Sequence, residues 1–130
     1  MGIELKFLAW AVVLGFVQLL LADVLMTAQR GTKWNVGPRD GEPKPLSGMA
    51  ARAERAFRNF LETFAFFAAA VLAVVVAGRT DASTALGAQL YLWARLVYVP
   101  LYLLGIPYLR SLAWVVSVAA IAMVLWPLLR

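Results

Sequence analysis

The sequence predicts an all-α integral membrane protein, a bundle of four helices that each cross the bilayer. Three observations predict it. Apolar residues make up 63% of the 130-residue chain and charged ones only 15%, and mean hydropathy is +0.79. Soluble domains run near half apolar and a quarter charged. The apolar excess falls in four runs, Ile3–Ala28, Phe60–Ala77, Ala85–Ile106 and Leu112–Leu129. Each is near the ~20 residues that a spanning helix needs. The segments between the runs are rich in Gly, Pro and charge. A single transmembrane domain over residues 1–130 follows, with helices at about 4–29, 48–78, 84–104 and 108–129.

The first run is too long for the apolar part of a leader peptide and has little basic residue content before it, so it reads as a true span. The link QRGTKWNVGPRDGEPKPLSG spans about 30–47 as a loop, because its Gly, Pro and Asp spacing marks turns that cannot continue a helix. Ser47 is the expected N-cap of the second span. That helix is longer than the ~30 Å hydrocarbon core at ~1.5 Å per residue, so its polar N-terminal end projects from the membrane. GRTDAS is a tight link, with Gly78 as C-cap and Asp81 or Ser83 as the next N-cap. Pro100 is expected to kink the third span. The last link, Gly105 to Pro107, is very short.

Four spans place both termini on one side. The first and third links and their flanks hold Arg30, Lys33, Arg39, Lys44, Arg52, Arg55, Arg58 and Arg110. The other side has only Lys6, Arg79 and Arg130. The positive-inside rule then makes those two links cytoplasmic and the termini periplasmic, and Trp10, Trp34, Trp114 and Trp126 fall near the interfaces. The net charge of +5 therefore reports orientation, and no nucleic-acid partner is expected. Without cysteine or histidine, disulfides, thiol catalysis and Cys/His metal sites are excluded. No metal is expected.

Two stripes of polar residues enter the apolar spans. On the second, Arg55, Arg58, Asn59 and Glu62 stand at i, i+3, i+4 and i+7 and share one face. The plain reading is that the arginines snorkel to lipid headgroups while Glu62 pairs with Arg58. That suits Arg52, which lies outside. It suits Asn59 and Glu62 less well, because they lie deeper and a carboxylate gains nothing at anionic lipid. On the same helix Ala65, Ala69, Ala73 and Ala77 form a ridge for close helix approach. On the third span, Tyr91, Arg95, Tyr98 and Tyr102 form a second stripe. Arg95 is nearly central, where an unpaired arginine costs about 2.5 kcal/mol or more. A structural ion pair is expected, with Glu62 or Asp23 as counter-ion. Interfacial tyrosines are common. It is the alignment of Tyr98 and Tyr102 with Arg95 that marks them. Arg110 starts the fourth span, where a cation and the positive helix end together suit an anionic partner. A positive-inside anchor explains its position equally well.

These features resemble the MAPEG family, the membrane-associated proteins in eicosanoid and glutathione metabolism, over almost the whole chain. Two motifs carry the resemblance. One is ERAFRNFLE, with Glu54, Arg55, Arg58, Asn59 and Glu62. The other is ARLVYVPLY followed by LRS, with Arg95, Tyr98, Tyr102, Arg110 and Ser111. The resemblance implies a homotrimer with glutathione bound between protomers near the cytosolic side. It implies that Arg55, Arg58, Asn59 and Glu62 hold the carboxylates and amine of glutathione, and that Tyr98, Tyr102 and Ser111 bind it in the same site. It makes Arg110 the catalytic residue that stabilises the thiolate, and Arg30 a contribution from the neighbouring protomer. Ala65 departs from the proline that many members have there, and Trp114 from a tyrosine found in some. The KWNVGPRD link is similar to a bacterial branch, which implies a bacterial inner membrane.

The expected function is a membrane-bound, glutathione-dependent transferase or peroxidase-type enzyme acting on hydrophobic electrophiles, with glutathione as co-substrate. The alternative is a non-enzymatic scaffold or lipid-binding protein whose Arg55, Arg58 and Glu62 bind a lipid headgroup or one another. A small multidrug exporter also has four helices, but it relies on a central acidic residue in its first span. Asp23 lies too near that span's end, and the first link is strongly basic.

Overall fold

A computed structural model describes all 130 residues. All of its regular secondary structure is helical, with no strand. Its elements are α1 (Ile3–Arg30), α2 (Thr32–Val36), α3 (Gly48–Val76), α4 (Ala82–Leu103) and α5 (Pro107–Leu129). Helices α1, α3 and α5 are long and apolar enough to cross a membrane. Gln89, Arg95 and the three tyrosines of α4 lower its hydropathy, although its 22 residues give it a length of ~33 Å. One end of the bundle carries both termini and the α3–α4 turn. The other, the loop end, carries residues 31–47 and the α4–α5 turn.

The loop contains α2, which the sequence reading placed in irregular structure. TKWNV has no internal breaker, so one helical turn forms between Gly31 and Gly37. Gly31, at φ 91°, separates it from α1. The Asn35 side chain ties it back to Thr27 Oγ1 at 2.9 Å. Ser47 has the extended backbone of an N-cap, but its side chain caps nothing. Instead the Gln29 amide clips the Ser47 backbone, donating to its carbonyl and accepting from its N–H, both at 3.0 Å. The N-terminus of α4 does follow its sequence signal. Asp81 Oδ1 accepts from the Thr84 N–H at 3.0 Å, and Thr84 Oγ1 accepts from the Asp81 N–H at 2.8 Å. Two otherwise orphaned donors are satisfied reciprocally. Thr84 Oγ1 also bonds the buried Glu4 at 2.8 Å, joining α1 to α4. Arg130 bonds Asp81 at 3.0 Å and holds the C-terminus to the same corner.

The core is a layer of Ala11 and Leu14, Phe60, Phe67, Val71 and Val74, Ala88 and Tyr91, and Ala120 and Val124. Tyr91 stacks on Phe67 with centroids 3.9 Å apart, and its hydroxyl shares a hydrogen bond with Thr63 Oγ1 at 2.9 Å. A buried phenol therefore keeps a polar partner. Gly87 allows the closest approach of α4 to α5, because a Cβ there would lie 2.8 Å from the Ala120 carbonyl oxygen. The ridge of Ala65, Ala69, Ala73 and Ala77 takes no part in this core. All four alanines are exposed, on the outward side of α3.

Candidate functional site

The polar stripes of α3 and α4 meet the start of α5 at the loop end. Pro107 occupies the first position of α5 with its φ already suited to the helix. This places Arg110, Ser111, Trp114 and Val115 on one face, at i, i+1, i+4 and i+5. They line a cavity of about 510 Å³ together with Asn59 from α3 and Tyr98 and Tyr102 from α4. A volume of this size is in the range of small-molecule sites.

Cations ring the tyrosines. The Arg110 guanidinium lies 4.6 Å from the Tyr102 ring centroid. Arg55 Nε donates to the Tyr102 hydroxyl at 3.1 Å. The two tyrosines pack with centroids 5.6 Å apart. Asn59 Oδ1 is buried and has no hydrogen-bond partner within the chain. A buried acceptor left unmade costs about 1–3 kcal/mol, so this cavity holds an open demand for a donor. Ser111 has no such demand, because its hydroxyl donates to the Pro107 carbonyl at 3.2 Å.

Of the residues singled out in the sequence, Asn59, Tyr98, Tyr102, Arg110 and Ser111 surround this one cavity, and Arg55 stands at its rim. The others lie apart. Glu62 borders a second cleft of about 390 Å³ between α3 and α5, formed with Thr63, Phe66, Trp114 and an apolar wall from α5. Arg58 points outward and pairs at 2.7 Å with Glu54 one turn back, not with Glu62. Arg30 lies on the α1 side of the loop, where its Nε donates to the Lys44 carbonyl at 2.7 Å.

The ion pair expected for Arg95 is absent. The chain has two ion pairs, Arg58–Glu54 and Arg130–Asp81, and Arg95 is in neither. Its side chain points into the bundle and is fully buried, whereas Glu62 and Asp23 lie on outward faces of α3 and α1. None of its three guanidinium nitrogens has a hydrogen-bond partner. Its charge rests on aromatic faces, with Tyr98 at 4.1 Å and Phe60 at 5.7 Å. A desolvated cation–π contact is worth about 2 kcal/mol, comparable to the about 2.5–3.5 kcal/mol cost of an arginine at membrane depth.

Sequence reasoning placed Trp114 near an interface and at the position of a tyrosine found in some family members, but did not count it among the site residues. This residue lines both the polar cavity and the apolar cleft beside it. The signal was available in its spacing of i+4 from Arg110. Gln18 on α1 also passed without notice. It is buried, with both amide atoms unpartnered, and nothing in its local sequence marks it.

An all-helical bundle with three membrane-competent helices and a polar, cation-rimmed cavity at one end defines the class of an integral membrane protein. A model of the MAPEG family matches residues 7–130, and the chain belongs to that family. Comparison with curated proteins and with solved structures gave no match.

Proposed function

We propose that the protein is a glutathione-dependent membrane enzyme of the transferase or peroxidase type, with the cavity among α3, α4 and α5 as its thiol site. Family membership supports this reading, since the family includes glutathione transferase- and peroxidase-type members. The observation that carries it is the composition of the cavity wall. One cation, Arg110, faces the space beside two tyrosines, and the unpartnered acceptor Asn59 Oδ1 is buried at its edge. No side chain of the cavity is a strong nucleophile, so the nucleophile comes with the ligand.

Glutathione has two carboxylates, an ammonium and a thiol. Guanidinium forks suit the carboxylates, which assigns Arg55 at the rim and Arg58 beyond it. Asn59 Oδ1 accepts from an amide or ammonium N–H. Glu62 suits the ammonium. Arg110 has the chemical task. A free thiol with a pKa of ~8.5 is mostly protonated at neutral pH, and each unit of depression requires ~1.4 kcal/mol of preference for the thiolate. One guanidinium in a partly dry cavity supplies that much. The thiolate sulfur then forms a bond to the electrophilic carbon of an apolar substrate lying in the neighbouring cleft, whose wall is Phe66, Trp114, Val118, Ile121, Ala122 and Leu125, as that carbon's bond to its leaving group breaks and the group departs with the electron pair as an anion.

The outward face of α3 supports an oligomer, which we take as a homotrimer with Arg30 reaching a neighbour's site. Arg55, Arg58, Glu62 and the alanine ridge are all exposed on the isolated chain. A carboxylate such as Glu62, fourteen residues into α3, is costly against lipid. A second protomer packed on the ridge covers it. We place all four long helices across the bilayer of a bacterial inner membrane, with the basic loop end cytoplasmic.

Isothermal calorimetry with glutathione on the detergent-solubilised protein tests the reading. Saturable binding is expected, weakened at least about tenfold by Asn59→Ala. Absence of both heat and thermal shift contradicts it and favours the non-enzymatic scaffold, in which Arg55, Arg58 and Glu62 serve a lipid headgroup or one another.

A further inference from the structure

A groove between α4 and α5 takes no part in the function proposed above. It lies on the opposite face of α5 from the thiol cavity. Arg110, Ser111, Trp114 and Val115 face that cavity, whereas Leu109 and Ala113 face the groove. The two helices are closest at Gly87, where a Cβ would lie 2.8 Å from the Ala120 carbonyl oxygen. One turn nearer the loop end, at Leu90, the groove opens. It has a volume of about 410 Å³ and runs between Leu90, Val97 and Leu101 of α4 and Leu109 of α5. Every side chain that lines it is apolar. Ala94 and Ala113 are its buried floor, and their small side chains give it depth. Val97 and Leu109 are exposed at its rim. From Leu90 to Leu101 the groove is ~16 Å long at ~1.5 Å per residue. That is about half of the ~30 Å hydrocarbon core. Leu90 lies near the middle of α4, and Leu101 lies in its last turn at the loop end.

We propose that this groove binds one phospholipid of the loop-end leaflet, with an acyl chain in the groove and the phosphate on Arg52. The inference rests on α4 crossing the bilayer and not on glutathione. Length decides for a lipid. A partner's spanning helix needs a contact face through both leaflets, and this groove ends near the midplane, where α4 and α5 close on each other. An acyl chain reaches from one interface to the midplane and no further. The tail alone gains little, because lipid tails are as apolar as the groove itself. The headgroup supplies the preference. Gly105 stands four residues after Leu101 and four before Leu109, so the α4–α5 turn lies at the mouth of the groove. Arg52 of α3 crosses this turn. A Cβ at Gly105 would lie 3.5 Å from its guanidinium carbon, so glycine leaves the cation room. Arg52 Nη1 donates to the Leu103 carbonyl at 3.2 Å, which fixes the guanidinium there. Its Nε and Nη2 make no hydrogen bond in the chain, and neither ion pair includes it. Two N–H donors held at headgroup level suit phosphate oxygens. The bound chain packs on Ala113, which also packs with Tyr98 of the thiol cavity.

Native mass spectrometry tests this directly. The full-length protein is equilibrated in detergent with equal amounts of phosphatidylglycerol and diacylglycerol carrying the same acyl chains, and retained lipid is counted per chain. One phosphatidylglycerol per chain is expected, preferred about tenfold over diacylglycerol, which has no phosphate. Arg52→Gln should abolish that preference. Val97→Trp, which fills the groove from its rim, should lower retention of both lipids. Val97 is exposed, so its variant keeps the fold, and unchanged helix content by circular dichroism checks both variants. Equal retention of the two lipids by the wild type overturns the proposal. So does wild-type retention by Val97→Trp, a preserved preference in Arg52→Gln, or cross-linking of a second copy through Val97→Cys in place of lipid.

Discussion

At the residue scale the site rests on how a few cations are accommodated. Tyr102 is the hub. Its ring takes the face of Arg110 at 4.6 Å, and its hydroxyl accepts from Arg55 at 3.1 Å. Tyr102→Phe keeps the ring and removes the acceptor. Hydrogen bonds to charged groups are worth about 1.5–3 kcal/mol, and partial exposure places this one at the lower end. Glutathione affinity is therefore expected to fall about tenfold while the thiolate fraction of bound ligand stays unchanged. Calorimetry and ultraviolet absorbance read the two separately. Asn59, Tyr98 and Tyr102 were legible in the sequence because helical spacing places them on stripes; Arg110 stood out as a cation at a helix start, and Ser111 came only with the family resemblance. Partners were not legible. Arg95 is followed by no feature that says whether its counterpart is a carboxylate or a ring, and that choice depends on rotation of α3 and α4 about their axes. Arg58 chose Glu54, one turn away, because an i,i+4 pair forms without any tertiary requirement.

At the element scale the four long helices were legible to within two residues at each end, since apolar runs of spanning length leave few alternatives. The loop was less so. Helix α2 is one turn long, too short for periodicity to show. The Gln29–Ser47 clip joins residues 18 apart through a side chain, which no local signal encodes. Gln29→Ala should release the loop without melting the bundle. Limited proteolysis is expected to cut within 31–47 several times faster than in the wild type, with the thermal midpoint unchanged. The α4–α5 contact makes the opposite demand. At Gly87 a Cβ would stand 2.8 Å from the Ala120 carbonyl and 2.9 Å from Val124 Cγ2. Gly87→Val must push α5 away, and overpacking of this kind costs about 1–3 kcal/mol. A lowered thermal transition in detergent, with helix content retained below it, is the expected result.

At the scale of the whole molecule, the isolated chain is incomplete in water. Only 26 of its 130 residues are buried. Large apolar side chains such as Phe16, Leu20, Val24, Trp93 and Trp126 are exposed around it, where a bilayer would cover them. The sequence announced this surface through its hydropathy. It did not announce which exposed face is lipid-facing and which is covered by protein or ligand. Arg58, Glu62 and the alanine ridge are exposed on one side of α3, while Arg55 reaches Tyr102 of its own bundle. The proposed chemistry centres on the cavity at the loop end and on Arg110, which faces it. A pH titration of the ultraviolet thiolate absorbance of glutathione, with wild-type protein and Arg110→Ala in parallel, tests it most directly. A favoured thiolate means a lowered pKa, so the signal of bound ligand should be present at neutral pH and disappear only as pH falls well below the ~8.5 of a free thiol. A depressed midpoint is expected in the wild type, returning toward the free value in Arg110→Ala, with both proteins folded. The same midpoint in both proteins, or a wild-type midpoint equal to that of free glutathione, would contradict it.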